Sequence, residues 1–189
     1  MLKSAASVIA SSCLKLGGWS VVGDYPTRPS VIVIAPHTSN WDFFLFLALG
    51  LSWKRLGDVL WMGKHTIFVG PLKPLLMKLG GHPVNRSKTN NLIANIASLL
   101  RENPHLSYAL APEGTRKYTD QWKRGFLKIA QEAQRPLTLA FINFKDKEIG
   151  MGPTIDIDFE GDLDWTPLHD FYKKEWAKYP DKFSKMTFS

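Results

Sequence analysis

Residues 31–50 read VIVIAPHTSNWDFFLFLALG, and the change of pattern inside them decides the fold. Val31–Ala35 is an apolar run led by β-branched side chains, which suit a pleated backbone and disfavour a helix, so it reads as a strand. Pro36 interrupts it, and Asn40–Ser52 then reads as a helix. Phe43, Phe44, Leu45, Phe46 and Leu47 are apolar all round that helix, the pattern of a buried helix or of one lining an apolar channel.

The same alternation extends outward. Trp19–Gly23 reads as a preceding strand, separated by the Pro26/Pro29 turn. Downstream, Val59–Gly63 reads as a strand, Leu72–Leu79 as a short helix and His82–Asn85 as a short strand. Lys88–Glu102 reads as a helix with Ser87 as its cap, His105–Ala111 as a strand, Gly125–Gln134 as a helix and Leu137–Phe144 as a strand. Lys147–Phe159 supplies one or two further strands, and Thr166–Tyr179 a last helix. Strands alternating with helices predict an α/β domain with a single, largely parallel or mixed sheet flanked by helices. Active sites of such sheets lie beyond the carboxyl ends of the strands, so the loops after residues 35, 63, 85 and 111 are the places to search.

Composition bounds the rest. The 189 residues are 44% apolar and 22% charged, as expected of one globular domain, and hold one cysteine, Cys13, too few for a disulfide framework or a cysteine-based zinc site. The net charge is +7, and residues 1–100 carry 10 basic and 3 acidic side chains against 14 of each in residues 101–189. A basic surplus confined to one half attracts phosphate groups, whether of nucleic acid, anionic lipid or a small molecule. No apolar run approaches the roughly 20 residues of a membrane-spanning helix. Residues 1–18 read instead as an amphipathic segment set off from a domain over 19–189. Leu2, Ala5, Ala6, Ile9, Cys13 and Leu16 recur at helical spacing, and the stripe either packs on the domain or lies on a membrane surface.

Two loops carry chemistry. In Pro36–Asp42 a histidine leaves a strand end and a carboxylate follows five residues later in the first helical turn. Asp42 can therefore reach the His37 ring and orient it as a general base, or, through the Ser39-x-x-Asp42 pattern, simply cap the helix. In Ala111–Lys117, Gly114 offers a tight turn, Thr115 a hydroxyl, and Arg116 a planar fork that fits phosphate. Glu113 can hold that arginine or an acceptor's hydroxyl groups. Arg86 follows the short strand at residues 82–85.

Together, His37-x4-Asp42, Gly81–Arg86, Pro112–Arg116 and the proline-led strand Pro136–Phe141 resemble the four blocks of the glycerolipid acyltransferase family, nearest to its bacterial lysophosphatidic acid acyltransferases. The resemblance spans residues 19–142. Ala111 stands where members often carry phenylalanine or valine, and Ala140 or Phe141 where a second proline is common. It implies a glycerol-3-phosphate acyltransferase-like fold and an acyl transfer from acyl-CoA or an acyl carrier protein to a lysophospholipid hydroxyl, most often that of 1-acyl-glycerol-3-phosphate. His37 and Asp42 would be the base pair. Arg86, Glu113, Gly114, Thr115 and Arg116 would bind the acceptor, with no cofactor and no metal. An anionic membrane surface is the implied partner, and the implied location is cytoplasmic, peripheral on the inner membrane.

Other readings compete. The acceptor could be another lyso-lipid, including an amino-acid-containing one, or the chain could bind anionic lipid without catalysis. Nucleic-acid binding is disfavoured because no known motif accompanies the basic charge. Asp156–Asp164 imitates a calcium loop, but Pro167 stands at its twelfth position, so a solvated acidic edge is expected. His65 is a candidate to line the site, while His82, His105 and His169 lack metal spacing.

Overall fold

The computed structural model describes residues 2–84 and 91–187. Its centre is one seven-stranded sheet of order β1-β7-β6-β2-β5-β3-β4. These strands are Ser20–Val22 (β1), Val31–Ile34 (β2), Val59–Lys64 (β3), Gly81–Val84 (β4), Ser107–Leu110 (β5), Leu137–Asn143 (β6) and Glu148–Ile155 (β7). β2, β3, β4, β5 and β6 run parallel, whereas β7 is antiparallel to β6 and carries β1 alongside it in parallel. The reversal follows from the short connection at residues 144–147, which can close a hairpin but is far too short for a crossover. The Asn143 side-chain oxygen accepts the Lys145 and Asp146 N–H groups and shapes that turn.

Helices cover both faces, as a sheet that is apolar on both sides demands. On one face, Val31, Val33, Leu137, Leu139 and Phe141 meet α4 (Leu92–Glu102), α5 (Gly125–Ala133) and α6 (Thr166–Phe171) in the main core. On the other, Ile32, Ala140, Ile142 and Ile149 meet α1 (Leu2–Leu16) and α2 (Trp41–Ser52). The alternation of side chains along β2 and β6 thus divides one apolar run between two cores. α3 (Leu72–Lys78) links β3 to β4 at the sheet edge.

α1 packs on α2 through a different stripe from the one its spacing suggests. Ser7, Ala10 and Leu14 are buried, and Ser7 Oγ donates to the Ser52 carbonyl at 2.9 Å. Ile9, Cys13 and Leu16 face outward, Leu16 being 89% exposed. The last helix is also shorter than its pattern suggests. It stops at Phe171 because Tyr172 turns to extended geometry (ψ 132°) and enters the core, followed by 3-10 turns at Lys174–Trp176 and Pro180–Lys182. The expected Ser87 cap and the start of the Lys88–Glu102 helix lie outside the described residues. The acidic run is drawn into local contacts: Asp162 pairs with Arg124 at 2.8 Å, Asp158 Oδ1 accepts the Glu160 N–H, and Asp164 Oδ1 accepts the Thr166 N–H.

Candidate active site

β2 and β5 are adjacent and parallel, so the two loops singled out above leave the same end of the sheet side by side. β2 ends after Ile34, and a cis Ala35–Pro36 peptide leads into the first loop. His37 Nδ1 lies 3.0 Å from Asp42 Oδ2. The same oxygen accepts the Ser39 N–H at 2.9 Å, while Ser39 Oγ accepts the Trp41 N–H. One Asp42 oxygen thus serves both the turn before α2 and the His37 ring. With Nδ1–H donating to the carboxylate, Nε2 keeps the lone pair and is the nitrogen left for chemistry. The His37 side chain is 23% exposed and that of Asp42 only 1%, so the ring touches solvent while its orienting group does not.

In the second loop Gly114 has φ +64° and donates its N–H to the Ala111 carbonyl, closing the expected tight turn. Glu113 departs from one of its two sequence readings, that of holding Arg116. Its carboxylate turns inward, 4% exposed, and Oε1 accepts the His37 backbone N–H at 2.9 Å. It ties the two loops together rather than reaching Arg116, which donates instead to the Asn40 side-chain oxygen. Burial pushes the Glu113 pKa up to about 7, only partly opposed by the His37 N–H, its own backbone N–H and the His37 charge, while Asp42 adds to the rise. Asp42 Oδ1 and Glu113 Oε2 are both buried without a hydrogen-bond partner among the described residues. Thr115 Oγ1 accepts the Lys117 N–H, leaving its own hydroxyl hydrogen available, and the Arg116 guanidinium is exposed beside the first loop. Arg86 lies outside the described residues. His65 is exposed at the end of β3.

Several neighbours of the site gave no signal in the sequence. Tyr172 is buried beneath it, and its hydroxyl donates to the Val33 carbonyl at 2.7 Å. Burial first, then the Glu113 charge, raises its pKa well above the ordinary value. Thr38 Oγ1 accepts the Tyr179 N–H, and Ser184 Oγ accepts the Thr119 N–H. Trp122 donates its backbone N–H to the Thr187 carbonyl. The C-terminal segment thus straps both loops. Lys178 sits 5.4 Å from the Trp41 ring centre, and Lys123 folds over the glycine turn, where a methyl group on Gly114 would lie 3.1 Å from its Nζ. Among the described residues no group of three or more His, Cys, Asp or Glu side chains could hold a metal ion. The arrangement holds an oriented imidazole beside an exposed guanidinium, which suits deprotonation of a hydroxyl on an anionic molecule.

A protein-family model described as Acyltransferase matches residues 20–141 of the chain, a span that includes both loops. Among solved structures, the crystal structure of the 1-acyl-sn-glycerophosphate (LPA) acyltransferase, PlsC, from Thermotoga maritima aligns with a TM-score of 0.60 at 15% sequence identity. The alignment covers 89% of this chain and 74% of that one, a likeness of fold. A comparison with curated protein sequences found no match.

Proposed function

The chain belongs to the acyltransferase family, and from that premise we propose that it transfers an acyl chain from acyl-CoA or an acyl carrier protein to the hydroxyl of a lysophospholipid, with 1-acyl-glycerol-3-phosphate as the leading acceptor. The observation that carries the reading is the His37–Asp42 pair at 3.0 Å, joined through the His37 N–H to Glu113 of the second loop.

His37 Nε2 takes the proton of the acceptor hydroxyl as its oxygen attacks the thioester carbonyl. A C–O bond forms and a tetrahedral oxyanion results. When it collapses the C–S bond breaks, and the proton on Nε2 passes to the departing thiolate. The products are an ester and a free thiol, and the balance needs no cofactor. Asp42 keeps the proton on Nδ1 and steadies the imidazolium. Arg116, the Thr115 hydroxyl and Arg86 hold the acceptor's phosphate. Gly114 lets the acceptor approach the backbone, and Glu113 fixes the position of His37.

The proposed setting is the cytoplasmic face of the inner membrane, bound peripherally. No helix among the described residues is long and apolar enough to cross a membrane, and the outward stripe of α1 supplies apolar surface for such contact.

Purified protein offered a panel of lyso-lipids with each donor, with products read by mass spectrometry, tests the reading. Selective acylation of 1-acyl-glycerol-3-phosphate supports it. Selective acylation of a different lyso-lipid, such as an amino-acid-containing one, keeps the mechanism and replaces the acceptor. No acyl transfer to any member of the panel overturns it.

A further inference from the structure

From Val59 to Arg101 the chain has no aspartate or glutamate and six lysines or arginines. Inside that stretch lies a segment that contributes little to the core. None of the seven residues of α3 is buried, although a helix this short ordinarily owes its stability to a packed face. Leu72, Leu75 and Met77 are 53%, 51% and 45% exposed, and Ile67 and Val69 just before them are 42% and 58% exposed. In the turn before α3, Phe68 anchors the segment, buried against Trp61 with ring centres 5.8 Å apart. Five large apolar side chains are exposed within eleven residues, a density that marks a surface that meets something other than water.

Its charges say what. Lys64, Lys73 and Lys78 surround the patch, all exposed, and the segment offers no carboxylate to pair with them. A two-fold interface with a second copy would set these lysines against one another, uncompensated. Apolar side chains that enter the acyl boundary, with ammonium groups held at the level of anionic headgroups, fit a bilayer. A row of rings also joins the patch to the candidate site. Phe68 meets Trp61, Trp61 meets Phe43 at 4.8 Å, Phe43 meets Phe44 at 5.7 Å, and Phe44 meets Trp41 at 6.0 Å, next to Asp42. Trp41 and Phe44 are themselves 59% and 58% exposed, so apolar side chains reach the surface again at the end of the row next to Asp42.

We propose that residues 67–77, flanked by Lys64, Lys73 and Lys78, are the surface by which this protein docks on an anionic bilayer. The inference rests on the reading that the acceptor is a membrane lipid, since the ring row then leads that lipid from the docked segment to the base.

The test is flotation of the full chain with vesicles of phosphatidylcholine alone or mixed with phosphatidylglycerol, for wild type, Leu72→Ser/Leu75→Ser and Lys73→Gln/Lys78→Gln. No α3 residue is buried, so both variants should melt like wild type. The leucine variant should lose roughly tenfold or more in affinity for the mixed vesicles. The lysine variant should lose roughly 30-fold at low salt and resemble wild type at high salt. Turnover of a dispersed short-chain acceptor should be unchanged in both. If neither variant loses vesicle affinity, the proposal is overturned. It is equally overturned if the leucine variant splits a dimer, or releases an acidic carrier protein, while vesicle binding persists. Variants that lose binding although no acceptor is ever acylated would leave the docking surface standing and remove the enzymatic reading.

Discussion

Replacing Glu113 with glutamine should remove one pH-dependent part of the protein's stability. Glu113 is 4% exposed and its pKa is raised from an ordinary 4.5 to about 7. The folded state therefore binds a proton that the unfolded state has released between those values. By linkage, stability is fully present below about pH 4.5 and is lost as pH rises through 7. At about 1.4 kcal/mol per pKa unit, the loss across the window is roughly 3 kcal/mol. Glutamine keeps a carbonyl oxygen for the His37 N–H and cannot ionise. Urea unfolding of both proteins at closely spaced pH values from 4 to 8 measures the difference. The stability curves should run together near pH 4 and separate by roughly 3 kcal/mol at pH 8, with the variant the more stable. Parallel curves across the window would refute the reasoning, and a variant that weakens as pH rises would reverse it.

Three further outcomes follow from the same site. His37→Ala should lower turnover by about 10²–10⁴-fold while the protein stays folded, and Asp42→Asn should come close to it by favouring the wrong tautomer; steady-state kinetics with a thiol-trapping reagent read both. Arg116→Ala should raise the acceptor KM more than it lowers kcat, with partial rescue by lysine, because a phosphate remote from the reacting carbon is held alike in ground and transition states. Tyr172→Phe should cost about 1–3 kcal/mol in chemical denaturation, since it leaves the buried Val33 carbonyl without the hydroxyl 2.7 Å away.

What the sequence made legible was local. The apolar runs at Val31–Ala35 and Leu137–Phe144 predicted strands, and the glycine in Pro112–Arg116 predicted a turn, because each depends on the intrinsic preference of adjacent residues. His37 and Asp42 could be paired on paper because only the four residues of one short loop and helix start separate them. The inward rotation of Glu113 could not, since it depends on the β2–β5 register that sets two loops 76 residues apart side by side. The end of α6 escaped for a similar reason. Helical spacing continues through Tyr172, but a core position beneath Val33 holds that ring more strongly than the helix does. In α1 the spacing of apolar residues left open whether that stripe packs on the domain or faces outward; it faces outward, because small side chains, Ser7 and Ala10, allow the close approach to α2.

The strap formed by the C-terminal segment has a consequence for the order of synthesis. Tyr172 reaches back 139 residues to Val33, and Tyr179 reaches back 141 residues to Thr38. A chain still on the ribosome contains His37, Asp42 and Glu113 long before it contains the residues that hold their loops. The nascent chain can gather the dyad but cannot brace it, and premature termination anywhere before Tyr172 leaves the Val33 carbonyl and the loop above it unsupported. Bracing of the proposed base is thus delayed until the segment around Tyr172 and Tyr179 has been made.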